Sequence, residues 1–142
     1  MGNVHTFTSH VRSRYGILDA SIDAATLETV EYVDMRNYDL VVFEALASAV
    51  ISASALTLKI WQATSTAGAA SVSMTHALAS AVSTATHATH CHLLQAQVRG
   101  EDLTAGYRYV GAQLSANASV PAPCAIVIHQ MRGRYKQATL PA

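Results

Sequence analysis

The sequence predicts an all-β protein, an antiparallel β-sandwich or jelly roll. Two observations lead to this fold class: apolar and polar residues alternate in several short segments, and turn signals separate those segments. A third is length, because 142 residues suffice for one domain with a single core. Antiparallel strands that each bury one face need a second sheet to pack against, which favours a sandwich.

The clearest predicted strand is ALTLKIWQA, residues 55–63, where three aliphatic residues alternate with threonine, lysine and tryptophan. Similar patterns predict five more strands: ETVEYVDM (28–35), YDLVVFEAL (38–46), ATHCHLLQAQV (88–98), GYRYVGAQLSA (106–116) and CAIVIHQM (124–131). Turn signals lie at residues 99–102 and at 121–123. The Ala/Ser/Thr-rich stretch 62–86 fits a short helix as well as a strand, because its period is not distinct.

The first 27 residues differ from the rest because they show no clear period. We predict that residues 1–27 form an extended N-terminal arm, that 28–135 form the sandwich, and that 136–142 are a polar C-terminal tail. Phe7, Val11 and Tyr15 are spaced four apart in this arm. Since the arm has no strand of its own in which to bury them, we expect a partner to cover these apolar groups.

Charge is scarce in this chain. Nine basic and nine acidic residues give a formal net charge of zero, and charged residues make up only 13% of the sequence. Phosphate-backbone binding needs a basic excess, so we expect no nucleic-acid partner. Residues 40–61 carry only Glu44 and Lys59 as charges, but two β-branched strands fit them better than a membrane span. We expect Glu44 to face solvent or to pair with an arginine.

Three histidines and a cysteine lie within six positions, His87, His90, Cys91 and His92. A strand sends His90 and His92 to one face and the other two to the opposite face, whereas a structural zinc needs four converging ligands. We therefore predict no metal and no other cofactor. Nucleotide-binding, hydrolase and metalloprotease motifs are missing from the sequence, and we predict that the protein is not an enzyme.

The order of these elements resembles that of small cement, or decoration, proteins on the capsids of tailed bacteriophages. In related phage structural proteins, a strand leads into a Glu/Asp-Leu turn, then Gly-Tyr-Arg-Tyr-Val, then an apolar strand that ends near an Arg-Tyr pair. The matching residues here are Glu101, Asp102, Leu103, Gly106, Tyr107, Arg108, Tyr109, Val110, Arg134 and Tyr135. The resemblance covers about two thirds of the chain, from Tyr38 onward, and the Ala-rich middle departs from it.

The resemblance implies a jelly-roll protein that binds the outer capsid surface of the virion and bridges neighbouring major capsid protein subunits. It also implies assembly in the host cytoplasm, where reducing conditions leave Cys91 and Cys124 unlinked. Self-association as a dimer is favoured, with a trimer as the alternative. The predicted partner-binding residues are Phe7, Val11, Arg12, Arg14, Tyr15, Arg132, Arg134 and Tyr135. A head-tail joining subunit or a tail-fibre sandwich that binds a receptor or carbohydrate remains the alternative function.

Overall fold

The computed structural model describes residues 11–19, 32–47, 55–74, 79–82, 92–116 and 124–131. They form nine strands and a single turn of 3-10 helix at Gly100–Asp102, and no α-helix occurs among them. The strands are β1 (Val11–Asp19), β2 (Val33–Asp34), β3 (Leu40–Ala47), β4 (Ala55–Ala63), β5 (Val72–Ser73), β6 (Ala79–Val82), β7 (His92–Arg99), β8 (Tyr109–Ala116) and β9 (Cys124–Met131). The predicted all-β fold class is confirmed.

The strands form two antiparallel sheets. The first sheet has the order β1-β9-β3-β7, and the second has the order β2-β8-β4-β5, with β6 also paired to β4. When β5 and β6 are counted as one interrupted strand, the first strand pairs with the last, the second with the second last, and so on inward. This nested pairing is the winding of an eight-stranded jelly roll.

The Ala-rich stretch, for which helix and strand were both open, contains strands. Val72 pairs with Gln62 on β4, and Ala79–Val82 pair with the beginning of the same strand. Between them, the Met74 N–H donates to the Ile60 carbonyl at 2.8 Å. The interruption between β5 and β6 explains why no single period is visible in this part of the sequence.

The core lies between the two sheets and follows the alternation that the sequence shows. Along β4 the three aliphatic residues are buried, and β9 alternates buried and half-buried residues over its whole length. The largest fully buried side chains are Phe43, Leu56, Leu58, Ile60, Leu114, Ile126 and Ile128. These seven come from the four central strands, β3 and β9 of one sheet and β4 and β8 of the other, and the fully buried Val33 on β2 and Val98 on β7 extend the core to the edge strands.

The predicted boundary of the arm is wrong for residues 11–19. These residues form β1, which pairs with β9 from Val11 opposite Met131 to Asp19 opposite Cys124. The register shifts between Tyr15 and Ile17, so one extra residue interrupts the alternation. Because of this bulge, residues 11–19 show no regular alternation in the sequence, and the sequence therefore predicts an arm here. Residues 1–10 and 20–27 lie outside the described part of the chain.

The segment before β8 is a turn rather than the start of a strand. Gly106 has a φ of +92°, and the Tyr107 N–H donates to the Thr104 carbonyl at 3.0 Å. A positive φ at the third position of a turn is characteristic of type II turns, which favour glycine there. The Gln62 side chain anchors this turn, because its amide donates to the Thr104 hydroxyl at 2.9 Å and its oxygen accepts from the Thr104 N–H at 3.0 Å.

Candidate functional site

The outward face of the first sheet is mostly apolar. Along β3, β7 and β9 every second residue is buried, so the residues between them point away from the core. The apolar members of this outer face, together with Val11 at the start of β1, are Leu40, Val42, Leu46, Leu93, Ala125, Val127 and Met131. A solvated antiparallel sheet normally presents polar residues on this side. β7 does so with Gln95, Gln97 and Arg99, whereas β3 and β9 present mostly apolar residues.

Two leucines are the most exposed large apolar residues of the outer face. Leu46 on β3 and Leu93 on β7 are direct cross-strand partners, and they are 44% and 56% exposed. The third large apolar residue with comparable exposure is Val72 at 45%, which lies on β5 of the second sheet. The leucine pair is therefore a continuous apolar patch, whereas Val72 is a single exposed side chain on the other sheet.

The middle of the outer face carries four polar side chains from four strands, which we call the polar quartet: Ser13, His129, Glu44 and Gln95. The Ser13 hydroxyl lies 2.8 Å from Nδ1 of His129, and Nε2 of His129 lies 3.0 Å from a Glu44 carboxylate oxygen. The Gln95 amide donates to the second Glu44 oxygen at 2.6 Å. The hydrogen bonds thus run across the whole sheet from β1 to β7.

The directions of the hydrogen bonds in the quartet follow from the donors and acceptors that its members carry. An ionised carboxylate only accepts hydrogen bonds, so Nε2 of His129 donates to Glu44. In a neutral ring Nδ1 then accepts from the Ser13 hydroxyl. The members satisfy one another, and the quartet can be covered by a partner without leaving Glu44 unpaired.

A serine, a histidine and a carboxylate in hydrogen-bonded order also occur in hydrolases, but the setting differs here. Ser13 lies on a sheet face, where backbone N–H groups point along the ladder toward neighbouring strands. The described contacts of the quartet are the three hydrogen bonds that join its members across the sheet.

The structure bears only partly on the predicted partner-binding residues. Val11 and Arg12 lie at the start of β1, and Arg12 is exposed. Val11 pairs with Met131 at one end of the first sheet. Arg14 and Tyr15 belong to β1, but their side chains are not described. Phe7, Arg132, Arg134 and Tyr135 lie outside the described residues.

The residues of the Glu-Asp-Leu and Gly-Tyr-Arg-Tyr-Val segments gather at the same end of the sandwich. A shallow groove of about 230 Å³ there is lined by Met35, Arg36, Gly100, Leu103, Tyr107 and Arg108. Arg108 forms a salt bridge with Asp34, with its Nε 2.7 Å from one carboxylate oxygen. This hydrogen bond raises the pKa of Arg108.

Sequence reasoning missed the polar quartet. Glu44 lies on the outward side of β3 and is partly exposed, as expected, and its partners are His129 and Gln95 rather than an arginine. A charged residue at an outward position of an apolar strand was a visible signal for Glu44. Its partners could not be found in the same way, because they come from strands 51 and 85 positions away in the chain.

Two sequence predictions fall largely outside the described residues. The side chains of His87, His90, Cys91 and His92 are not described, and the part of the chain that is described holds no group of three potential metal ligands. Cys124 is buried on β9. That it forms no disulfide with Cys91 stays a prediction. No helix among the described residues is long and apolar enough to cross a membrane.

Comparison with protein-family models, with curated proteins and with solved structures finds no match to this chain. The fold and the outer face therefore define the class on their own: an all-β, jelly-roll sandwich with an apolar outer face on one sheet.

Proposed function

We propose that this chain is a structural virion protein that binds the outside of a tailed-phage capsid and cements neighbouring major capsid protein subunits. The observation that carries the proposal is the apolar outer face of the first sheet, with its exposed leucine pair Leu46 and Leu93. The resemblance of the strand order and the scarcity of charge support the same function.

The size of the outer face indicates how such binding would work. Four strands about 4.8 Å apart and eight residues long at about 3.3 Å each cover roughly 500 Å². A stable protein interface buries about 800 Å² on each partner, so this face alone supplies a weak contact. Weak contacts suffice for a protein that engages two shell subunits at once, because the second engagement is effectively intramolecular.

The outer face favours this proposal over carbohydrate binding by a fibre subunit. Sugar-binding sandwiches present exposed aromatic rings, whereas the exposed apolar residues here are aliphatic. Phe43 and Tyr32 are buried, and Trp61 is half-buried and donates from its indole N–H to Gln113 at 3.1 Å. These three aromatic side chains thus serve the sandwich itself, whereas Tyr107 lines the shallow groove at its end.

The test is co-sedimentation with empty shells assembled from the major capsid protein of the same genome. Leu46→Gln should weaken shell binding about tenfold, because burial of a leucine contributes about 1.5–3 kcal/mol. Val72→Gln is the matched control, since Val72 is equally exposed but lies on the other sheet, and it should bind as the unaltered chain does. Equal effects of the two changes would show that the outer face does not contact the shell. Failure of the unaltered chain to bind would refute the cement function.

A deletion tests whether residues 1–10 add to shell binding. The deletion must stop before Val11, because Val11–Asp19 form an edge strand of the first sheet. We expect the shortened chain to keep its melting transition and to lose affinity for shells. Unchanged affinity would show that these residues, Phe7 among them, are not part of the contact.

A further inference from the structure

The borders of the two sheets differ in how well they are protected from pairing with another chain. An exposed edge strand presents unpaired N–H and C=O groups, and proteins protect such edges with bulges, short strands or interruptions. Within the described residues, three edges carry such a device. β1 has the register shift after Tyr15, β2 spans two residues, and β5 and β6 are interrupted.

β7 is the exception. It runs for eight residues, His92–Arg99, and pairs with β3 at every one of them without a shift in register. Its sequence HLLQAQVR contains no proline, no glycine and no acidic residue, and its one permanently charged side chain, Arg99, stands at the end. No strand of the described residues pairs with its other side. β7 therefore has the length and the composition of a strand that pairs with a neighbour on both sides.

The hydrogen bonds at the end of β7 indicate which backbone groups are available. The Gly100 N–H donates to the Asp39 carbonyl at 3.0 Å, on the side of β3. The Arg99 N–H donates instead to the Asp102 carboxylate at 2.8 Å, on the other side. Because backbone groups alternate along a strand, the N–H and C=O groups of three residues point away from β3: Leu93, Gln95 and Gln97.

We propose that β7 pairs antiparallel with β7 of a second copy of this chain, about a twofold axis through Gln95. The three available residues are centred on Gln95, so this register uses all six of their N–H and C=O groups in each copy. It places Leu93 of one copy opposite Gln97 of the other and leaves the Arg99 N–H bonded to Asp102. A twofold contact of identical strands closes on itself and does not propagate into a fibre.

Packing and charge are compatible with this register. On the inward side it places Leu94 opposite Ala96, a large residue opposite a small one. The two Arg99 side chains lie eight residues apart along the joined strands, about 26 Å, so they do not repel each other appreciably. The result is one continuous eight-stranded sheet whose outer face is twice as large. The proposal concerns the isolated chain and does not depend on capsid binding.

The register is tested by cysteine cross-linking. Opposed residues in such a pair have Cα atoms about 5.5 Å apart, which is within the range for a disulfide. Gln95→Cys should therefore form a disulfide-linked dimer under mild oxidant. Gln97→Cys is the matched control, because two residues at position 97 would be about 14 Å apart and too distant to bridge. The unaltered chain, treated with the same oxidant, shows how much dimer forms through the native cysteines Cys91 and Cys124.

We expect about tenfold more cross-linked dimer from Gln95→Cys than from Gln97→Cys. Equal yields from the two variants, or no dimer above the unaltered chain from either, would overturn the proposal.

A second pair of variants tests the backbone contact by light scattering. Gln97→Pro removes an N–H that points away from β3, so the pairing within the chain is kept while the pairing between copies loses two of its six hydrogen bonds and meets the proline ring. Gln97→Thr keeps the N–H and removes only the amide side chain. We expect the unaltered chain and Gln97→Thr to form dimers that dissociate on dilution, and Gln97→Pro to be monomeric with a folded circular dichroism spectrum. An unaltered chain that is monomeric at every concentration, or a dimeric Gln97→Pro, would contradict the proposal.

Discussion

Two glycines with similar backbone angles should differ sharply in how they tolerate alanine. Gly68 has a φ of +76° and Gly106 a φ of +92°, so alanine is strained at both positions. At Gly106 a Cβ would meet no atom within 4 Å. At Gly68 it would lie 2.6 Å from Cε2 of Tyr32, whose ring is buried between this loop and Gly111 of β8. The substitutions thus share the backbone strain and differ in the contact with Tyr32.

The expected magnitudes follow from these contacts. Left-handed backbone costs a non-glycine residue about 1–2 kcal/mol, which is the whole effect expected for Gly106→Ala. Overpacking adds about 1–3 kcal/mol, so Gly68→Ala should lower the free energy of unfolding by about 2–5 kcal/mol. The reduced entropy of the unfolded chain is the same for both alanines and cancels in the difference. Gly100→Ala is the control, since its Cβ would make an ordinary contact of 3.8 Å.

The assay is urea denaturation followed by circular dichroism, with a double-mutant cycle between Gly68→Ala and Tyr32→Ala. Removal of the ring should abolish the steric part of the Gly68 effect and leave the effect of Gly106→Ala unchanged. Equal destabilisation by the two glycine variants would refute the reasoning. So would a Gly68 effect that persists in full without the Tyr32 ring.

Three further predictions concern the core and the polar contacts. Phe43→Ala should lower the free energy of unfolding by about 3–5 kcal/mol in the same assay, because Phe43 is fully buried. Gln62→Ala should cost about 1–3 kcal/mol and speed hydrogen exchange at Thr104, whose N–H loses its acceptor; unchanged exchange would contradict this. The half-exposed pair of Asp34 and Arg108 should show only a weak coupling in a double-mutant cycle, smaller than the cost of Gln62→Ala, because solvent screens the two charges; a coupling as large as that cost would contradict this.

The regular strands could be read from the sequence because their period is local. Ala55–Ala63 is a strand with the bounds that the alternation predicted, and Cys124–Met131 alternates buried and half-buried residues throughout. Side chains on successive residues of a strand point to opposite faces, so a half-buried strand carries its own pattern. Where that pattern is interrupted the sequence was less informative: β1 with its bulge was not predicted, and the broken edge formed by β5 and β6 was left open between helix and strand.

The candidate site could be predicted only in part. The lone carboxylate among the apolar residues of β3 was visible in the sequence, but its partner was not, because His129 reaches Glu44 through the pairing of β3 with β9. The apolar outer face was hidden for the same reason, since each of its strands contributes only every second residue.

By itself, then, the sequence determined the class of secondary structure, the positions of the regular strands and the scarcity of charge, all of which depend on composition and on neighbours along the chain. The tertiary structure decided which strands are neighbours, that β7 borders its sheet without a bulge or interruption among the described residues, and how Ser13, His129, Glu44 and Gln95 meet on one face. The physical reason is that pairing in a jelly roll joins residues far apart in the chain, such as Val11 and Met131, and no local pattern records such a contact.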